Sequence, residues 1–538
     1  VDQCPLFCSI DGCTSCEGPE CAPDACTQAA MDQGYLGCEY WAVDLDNATE
    51  VVGGQVPDPT NPCVLYPGTK LVSGLPVCYS AGALAGTCDP PNATCPAGYA
   101  CMVPSEGACA ADGDHAPFAI VVSNPEGVPV AVTVTIFGGQ SSSVVVAPGE
   151  IRALFPAQLG FVDVGLEGSA QQPNAYKITS SAPIVAYQFN PLDNVDVFSN
   201  DASLLIPRAG FGKRYLAISL PTLTRRGSGP GRDSYNGYTA IVAWKDDTQI
   251  RVTPTSNTVA GSDGTLALTA GVPHVFTLRA HDVLNLEAVE GPDPFSADGL
   301  NGGDLTGTVI EAVNGKSFGV FGGHEAVKLV DASSGCCADH LEEMLFPTST
   351  WGKTFAIGRT VPRRNTPDML RIVAASNATS VSISPPPPGG SCPALNAGGH
   401  CDVLITSHTE ITATQPIAVA HLMRSAILGM DGTGDPSLGM VPPVEQYRTD
   451  YKFLAPMNYD EQFVTIVGTA GDVVQLDGTT VTGGAPLGAT RMAYRIPIGV
   501  GAHAVTCSLG CGVEVYGWSP AVSYLFAGGT DLHPIVIE

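Results

Sequence analysis

Short runs of alternating branched residues, each closed by a turn residue, constrain the fold of this chain more than any other feature. Examples are VAVTVTIFGG from Val130, TAIVAWKDDTQIRVTPT from Thr239 and MLRIVAASNATSVSISP from Met369. This pattern is typical of half-buried antiparallel strands joined by tight turns. Gly and Pro, 62 and 44 of 538 residues, interrupt every long apolar stretch, so long helices are not expected. The pattern predicts a mainly β chain, in which only DHLEEMLF (339–346) suggests a helical turn.

A strand, turn, strand segment recurs along the chain, at 175–190, 307–323 and 408–425. Each copy precedes a polar excursion, an apolar residue before Pro, and an aromatic-rich exit strand, and a shorter fourth unit follows. Repeats of this size match β-sandwich domains. We therefore expect tandem antiparallel β-sandwich-like units behind an irregular, disulfide-rich amino-terminal segment. The expected regions are a head (1–116), a first unit (117–213), a second unit (214–352), a third unit (353–452) and a fourth unit (453–538).

The cysteines divide the chain, because 13 of the 19 lie between Cys4 and Cys109. That density predicts a head stapled by disulfides in an oxidising compartment, with zinc as the less favoured alternative. An odd total leaves one thiol unpaired inside the chain. Cys336 and Cys337 precede Asp339 and His340, so a metal or redox site is the alternative to disulfide use there. The disulfide candidates outside the head are Cys336, Cys337, Cys392, Cys401, Cys507 and Cys511.

The charge balance makes nucleic acids and anionic membranes poor partners for this chain. With 24 basic and 52 acidic residues the net charge is −28, which repels nucleic acid and anionic membrane surfaces.

No apolar run approaches the roughly 18 residues of a membrane helix, so no membrane insertion is expected. The sequence starts at Val1, and we expect a cleaved secretion signal or a trimmed chain. A secreted, extracellular or cell-surface location is predicted.

Catalytic motifs are not found in the sequence. It contains no nucleophile elbow, zinc-protease helix, Walker loop or strand-anchored dinucleotide fingerprint. His340, His421 and His503 lie in or beside strand-like runs, where hydrogen-bonded structural roles are commoner than catalysis. The chain is predicted to be no enzyme and to need no organic cofactor.

Two acidic loops suggest calcium as the one cofactor to consider. DLDNATE (44–50) and NPLDNVDVFSND (190–201) place oxygen ligands at alternate positions, as calcium loops do. Neither matches an EF-hand, and Asx turns between strands are the favoured alternative. The candidate ligands are Asp44, Asp46, Asp193 and Asp196.

Two further segments are candidate interaction sites. RRGSGPGRDSYNGY (225–238) concentrates basic and aromatic side chains, which suit an anionic ligand, although a plain exposed loop is the favoured alternative. Its candidate binding residues are Arg225, Arg226, Arg232, Tyr235 and Tyr238. The terminus HPIVIE (533–538) resembles a strand that could join another subunit's sheet or complete its own domain.

Several ordered motifs together resemble a known family. DLTGTVIEAVNGKSFGVFGG followed by CCADHLEEMLFPTSTWGKTFAI, then DPSLGMVPPVEQYRTDYKFLAP and GAHAVTCSLGCGVEVYGWSPAVSYLFAGG, resemble the IgGFc-binding protein amino-terminal domain family over about 117–532. Ala338 interrupts the family's Cys-Asp-His element here. The head, with GCEYWAVDLDN and CPAGYAC, resembles leaders of secreted bacterial, particularly myxobacterial, members. The resemblance implies a secreted or surface protein without known catalysis.

Two functional hypotheses follow. The first is a non-enzymatic extracellular structural or adhesive protein that acts through its surfaces and associates with itself into a filament or matrix. The second is a monomeric cell-surface binding module for a glycoprotein, a glycan or immunoglobulin Fc. The expected partners are therefore further copies of the chain or an extracellular glycoprotein or glycan.

Overall fold

The computed structural model describes residues 23–535, apart from 52–62, 64–68, 81–82, 89–94, 96–97, 106, 163, 193–198, 227–231, 292–298, 330–337, 364–365 and 426–432. Antiparallel sheets account for most of the described residues, and one short helix is present among them. The predicted mainly β fold is confirmed. No helix in these ranges has the length and apolar composition needed to cross a bilayer.

The head is stapled by disulfides, as predicted, and is more regular than the sequence suggested. In the described part of the head, four disulfides join Cys26 to Cys38, Cys63 to Cys109, Cys78 to Cys95 and Cys88 to Cys101. Helix α1 (Ala25–Asp32) begins after Asp24, whose Oδ1 accepts a hydrogen bond from the Thr27 N–H at 2.7 Å. The head strands are β1 (Gly37–Val43), β2 (Thr49–Val51), β3 (Thr69–Val72), β4 (Val77–Ser80), β5 (Ala83–Thr87), β6 (Ala100–Met102) and β7 (Ala108–Asp112).

The first and second units continue the chain with strands of alternating burial. The first unit contains β8 (Ala119–Ser123), β9 (Val130–Thr135), β10 (Ser141–Val146), β11 (Ile151–Leu154), β12 (Ala170–Gln172), β13 (Ala175–Asn190) and β14 (Asp201–Leu204). The second contains β15 (Arg214–Leu216), β16 (Leu223–Arg226), β17 (Arg232–Tyr235), β18 (Gly237–Val242), β19 (Thr248–Thr253), β20 (His274–Leu278), β21 (Val283–Glu287), β22 (Gly299–Leu300), β23 (Val309–Ala312), β24 (Gly319–Val327) and β25 (Asp339–Met344).

The third and fourth units repeat this arrangement. The third contains β26 (Gly352–Ile357), β27 (Asp368–Ala374), β28 (Val381–Ser384), β29 (His400–Ile405), β30 (Thr409–Met423) and β31 (Ser437–Met440). The fourth contains β32 (Arg448–Ala455), β33 (Glu461–Thr469), β34 (Val474–Leu476), β35 (Thr479–Thr480), β36 (Ala485–Leu487), β37 (Arg491–Pro497), β38 (Gly501–Ser519) and β39 (Val522–Ala527).

One long strand in each unit carries a short buried strand at its end. Strands β13, β24, β30 and β38 pair antiparallel with β14, β25, β31 and β39, respectively. The head joins this scheme because β1 pairs with β13. The predicted repeat of two strands around a turn corresponds to these long strands, whereas the short partner strand follows the polar excursion.

The four short strands β14, β25, β31 and β39 are here called the central ring, because they pack against one another and join the four units. Strand β14 contacts β25 and β39, and β31 contacts the same two strands. All four are buried along their length. Asp201 of β14 accepts hydrogen bonds from the Glu342 N–H, at 3.2 Å, and from the Ser437 hydroxyl, at 2.7 Å. One carboxyl group of the first unit therefore contacts the second and third units.

The predicted helical turn at 339–346 is wrong, because residues Asp339–Met344 form strand β25. Its acidic side chains are buried between neighbouring strands. The Oε1 atom of Glu343 accepts a hydrogen bond from the Met440 N–H at 3.0 Å, and the Met344 N–H donates to Ser203 at 2.8 Å. Contacts with other units thus override the local helical preference of the sequence.

The motif of an apolar residue before Pro ends three of the ring strands in the same way. Pro207, Pro347 and Pro443 each precede a 3₁₀ turn, at Arg208–Gly210, Thr348–Thr350 and Val444–Gln446. Pro347 packs against Gly212 of the preceding exit segment, where an added Cβ would lie 2.2 Å from the proline Cβ. The turn therefore brings consecutive exit segments together at a site that only glycine fits.

The hydrophobic core is shared between regions. One cluster of buried residues includes Trp41 of the head, Ile178 of the first unit, Leu284 of the second and Leu438 of the third. Strand β12 also pairs with β21, across the expected boundary near residue 213. The boundaries stay predictions, and the regions they separate are packed together.

Candidate functional site

A group of carboxyl groups lies where the head meets the second unit. Asp46 follows strand β1 and is 5% exposed. Its Oδ2 atom accepts a hydrogen bond from the Gly168 N–H at 2.6 Å. The head thus presents an acidic side chain to the interior, held by the segment between β11 and β12.

The second unit contributes two glutamates from separate strands. Glu287 lies in β21, and Glu325 lies in β24 at a β-bulge between His324 and Val327. The Glu325 N–H donates to the Asn236 carbonyl at 3.0 Å, and the Asn236 Nδ2 group donates to Glu287 Oε2 at 3.4 Å. Asn236 therefore links the two glutamates.

Asp46, Glu287 and Glu325, here called the carboxylate cluster, converge on one point. One oxygen of each lies within 4.8 Å of the others. Oxygens that bind one calcium ion at 2.3–2.6 Å are at most about 5 Å apart. The spacing is therefore that of three ligands around a single cation.

Burial makes negative charge costly at this cluster. It raises the pKa of Asp46 well above its ordinary value, and the charges of Glu287 and Glu167 raise it further. Burial, followed by the charge of Asp46, also raises the pKa of Glu325. Asp114 behaves similarly, because its burial and the charge of Glu167 raise its pKa. A bound cation would offset this repulsion.

The calcium loops suggested by the sequence are only partly described. Asp44 and Asp46 are both buried, and the charges of both raise the pKa of Asp114. Asp193 and Asp196 lie outside the described residues. Sequence reasoning missed Glu287 and Glu325, because nothing in the chain marks two glutamates on separate strands as neighbours of Asp46.

The proposed basic and aromatic loop has a different structure from the one expected. Arg225 lies in β16 and Arg232 in β17, which pair as a hairpin, and their side chains, with that of Arg226, lie outside the described set. The prediction of an exposed aromatic surface is wrong for Tyr235 and Tyr238, which are 2% and 0% exposed. The Tyr238 hydroxyl donates to the Leu341 carbonyl at 3.1 Å, and Tyr235 packs with Leu223 and Ala326. Both rings are core residues.

The cysteines outside the head follow the prediction where they are described. Cys392 pairs with Cys401, and Cys507 pairs with Cys511. Cys336 and Cys337 lie outside the described residues, so their use stays a prediction. Each described pair staples a local segment of its own unit.

A second buried polar group, here called the histidine junction, joins the third and fourth units. The His421 ring contacts Glu514 Oε1 through Nδ1 at 2.9 Å and Asp368 Oδ2 through Nε2 at 3.1 Å. Burial lowers the pKa of His421, but the two carboxylates outweigh it and raise the pKa to about 10. The chain thus supplies its own buried cation here, in the structural role that was predicted for His421.

Comparison with known proteins identifies a family for this chain. No curated protein matches the sequence. Among solved structures, a tetra-tandem repeat from the extending region of a large adhesion protein aligns at 11% identity, over 78% of this chain and 96% of its own, with a TM-score of 0.08. That score is too low to carry a structural argument.

The family match covers three of the four ring strands. The family model described as IgGFc binding protein matches residues 201–517, from the first ring strand into β38. That range is more than half of the 538 residues and falls within the span of the resemblance noted from the motifs. The chain therefore belongs to the IgGFc-binding protein family.

Proposed function

We propose that this protein is a non-enzymatic extracellular binding or adhesive protein that acts through its outer surfaces. Its family is a non-enzymatic binding family. The disulfides of the head fit a secreted protein, because such bonds persist in oxidising compartments. Family membership is compatible with this role without naming the partner.

The observation that carries the proposal is the contrast between the ring and the sheet edges. The ring strands are buried, so their side chains do not face solvent. At the outside, β10 and β20 are terminal strands of their sheets and expose alternate residues, including Val145 and Val275. Terminal strands of a sheet can add a strand from another protein.

The two functional hypotheses differ in whether the chain binds itself. The Ile535 N–H donates to the Ser349 carbonyl at 2.7 Å, and the Leu532 N–H donates to Gln33. The described part of the terminus is therefore bound within its own chain rather than available to a neighbour. This favours the binding module for a glycoprotein, a glycan or immunoglobulin Fc over a filament linked through the terminus.

The first experiment measures assembly. Non-reduced protein in calcium-containing medium is examined by negative-stain electron microscopy and by light scattering after gel filtration. Compact single particles at high concentration support the binding module and lead to screening against glycans, mucin-type glycoproteins and Fc. Regular filaments support the structural polymer instead.

A pair of matched variants then tests the sheet edge. Val145→Lys places a charge on the edge strand β10, whereas Val500→Lys places it on a similarly exposed residue outside any strand. We expect the first variant to weaken assembly or partner binding and the second to leave both unchanged. Equal behaviour of the two variants contradicts a role for this edge.

A further inference from the structure

We propose that Asp46, Glu287 and Glu325 bind one divalent cation, for which calcium is the best fit, and that this ion fastens the head to the second unit. The proposal does not depend on which partner the outer surfaces recognise. It also differs from the two calcium loops suggested by the sequence, because the ligands come from three separate parts of the chain.

The first argument is convergence. Three carboxyl oxygens from the head, from β21 and from β24 lie within 4.8 Å of one another. Two of these residues, Asp46 and Glu287, are 5% and 3% exposed. Acidic side chains on a protein surface usually extend into solvent and away from one another. The three carboxyl groups of the cluster instead approach one another from the head, β21 and β24. Their shared position therefore needs a positive partner or bound protons.

The second argument comes from an amide on the same face of the sheet. Asn285 lies two residues before Glu287 on β21, so both side chains project from one side of that strand. Asn285 is 0% exposed, and its Oδ1 atom has no hydrogen-bond partner among the residues that the structure describes. Its Nδ2 group donates to the Gly168 carbonyl at 3.0 Å, and the N–H of the same Gly168 binds Asp46. Gly168 thus joins Asn285 to Asp46, and Asn285 Oδ1 is a neutral oxygen donor on the side of β21 that carries Glu287.

Leaving such an amide oxygen buried and unbonded costs about 1–3 kcal/mol. Coordination to a cation offsets that cost, because amide oxygens are ordinary calcium ligands. The neighbouring Asn285 therefore supports a ligand at this site independently of the acidic residues.

The donor set selects the metal. All the converging atoms are oxygens, which favours a hard cation over zinc or copper. Magnesium retains several waters and demands near-octahedral geometry, whereas calcium accepts a larger, irregular set of carboxylate and amide oxygens. A largely buried site built from three carboxylates and an amide fits calcium better.

The position of the cluster gives the ion a mechanical role. Asp46 belongs to the head, whereas Glu287 and Glu325 are far along the sequence in the second unit. A cation bound by all three closes a long loop of chain, as a disulfide would. We therefore expect the ion to hold the head against the second unit.

The test is calcium binding by the whole chain. Protein freed of metal with EDTA and then dialysed is titrated calorimetrically with CaCl₂, and separately with MgCl₂. We expect a saturable calcium site that Glu325→Gln weakens at least tenfold and that Asn285→Leu weakens measurably. Glu342→Gln is the matched control, because it changes a buried glutamate on the same face of the sheet outside the cluster.

The outcomes decide the proposal. Calcium binding that is lost in Glu325→Gln and retained in Glu342→Gln supports it. The absence of calcium binding overturns the proposal. Equal calcium binding by the wild type and Glu325→Gln also overturns it, because the ion would then be bound elsewhere in the chain. Circular dichroism and gel filtration establish that each variant is folded. If Glu325→Gln does not fold, Glu287→Gln replaces it in the titration.

Discussion

The head meets the second unit, and the third unit meets the fourth, through acidic side chains that have different neighbours. At the histidine junction, Asp368 and Glu514 flank the His421 ring at 3.1 and 2.9 Å. At the carboxylate cluster, the three converging groups are all acidic. The first junction contains its own cation, whereas the second has the geometry to take one from solution.

The difference shows in the direction in which each carboxyl group is shifted. Burial raises the pKa of Asp368, but the hydrogen bond and charge of His421 outweigh it and lower the pKa overall. The pKa of Asp46 is raised instead, by burial and by further negative charge. Similar burial therefore gives opposite results, and the sign depends on the neighbouring group.

The largest expected effect comes from removing the internal cation. His421→Gln leaves Asp368 and Glu514 buried without their positive partner, and we expect a loss of about 3–5 kcal/mol in the free energy of unfolding. Denaturant unfolding at pH 7 measures this. The control His503→Gln, in which a less buried pair with Asp477 is broken, should cost less than about 1 kcal/mol. Equal losses of unfolding free energy in the two variants would contradict a protonated His421 between Asp368 and Glu514.

The pH dependence of unfolding sharpens the same comparison. The folded pKa of His421 is about 10, above the ordinary value of 6.5, so the folded state retains a proton that the unfolded state releases between these values. The stabilisation is complete below about pH 6.5 and is lost as the pH rises through 10, by about 1.4 kcal/mol per pH unit in between. Between pH 7 and 9 the free energy of unfolding of the wild type should fall more steeply than that of His421→Gln, by about this amount per pH unit. An identical slope in both proteins would contradict the charge assignment.

Cation removal tests the other junction by stability. Calcium at a hundredfold excess over its dissociation constant should stabilise the folded chain by about 2.7 kcal/mol relative to EDTA. Thermal unfolding measures the shift, and limited proteolysis reports whether the head is released. Glu325→Gln should abolish the shift, whereas His421→Gln should retain it, since its junction has no part in the site.

The smallest expected effect concerns the central ring. Burial raises the pKa of Glu342 to about 8, so this side chain is largely protonated in the folded state at neutral pH. Its contribution to stability is present below about pH 4.5 and is lost as the pH rises through 8. Glu342→Gln should therefore be about 1–2 kcal/mol more stable than wild type at pH 6, with Gln188 still donating to the new amide oxygen. The difference should disappear at pH 4.5, and a less stable variant at pH 6 would contradict the assignment.

Local features were predictable from the sequence where the cause was local. Alternating branched and polar residues predicted strands such as Val130–Thr135. Every second residue of this strand is buried, so one face of the strand packs inward. Short spacing predicted the disulfides Cys392–Cys401 and Cys507–Cys511. The motif of an apolar residue before Pro recurs in the sequence, and the structure shows that a 3₁₀ turn follows it after three ring strands.

Predictions failed where the partner lies far away in the chain. The stretch DHLEEMLF has helical composition, yet its acidic residues are bound by β14 and β31, so it is a strand. Tyr235 and Tyr238 lie in a polar, glycine-rich segment that suggests exposure, yet other strands cover both rings. Neither outcome can be inferred from neighbouring residues, because the deciding contacts join different units.

The sequence by itself determined the strand content, the disulfide-stapled head and the family, since these depend on alternation, local cysteine spacing and ordered motifs. Only the tertiary structure decided that the four units close a ring, and that Asp46 meets Glu287 and Glu325. Strand pairing brings distant residues together through backbone hydrogen bonds that are the same for almost any side chain. The sequence therefore carries little record of which faces will meet, although those faces create the candidate site.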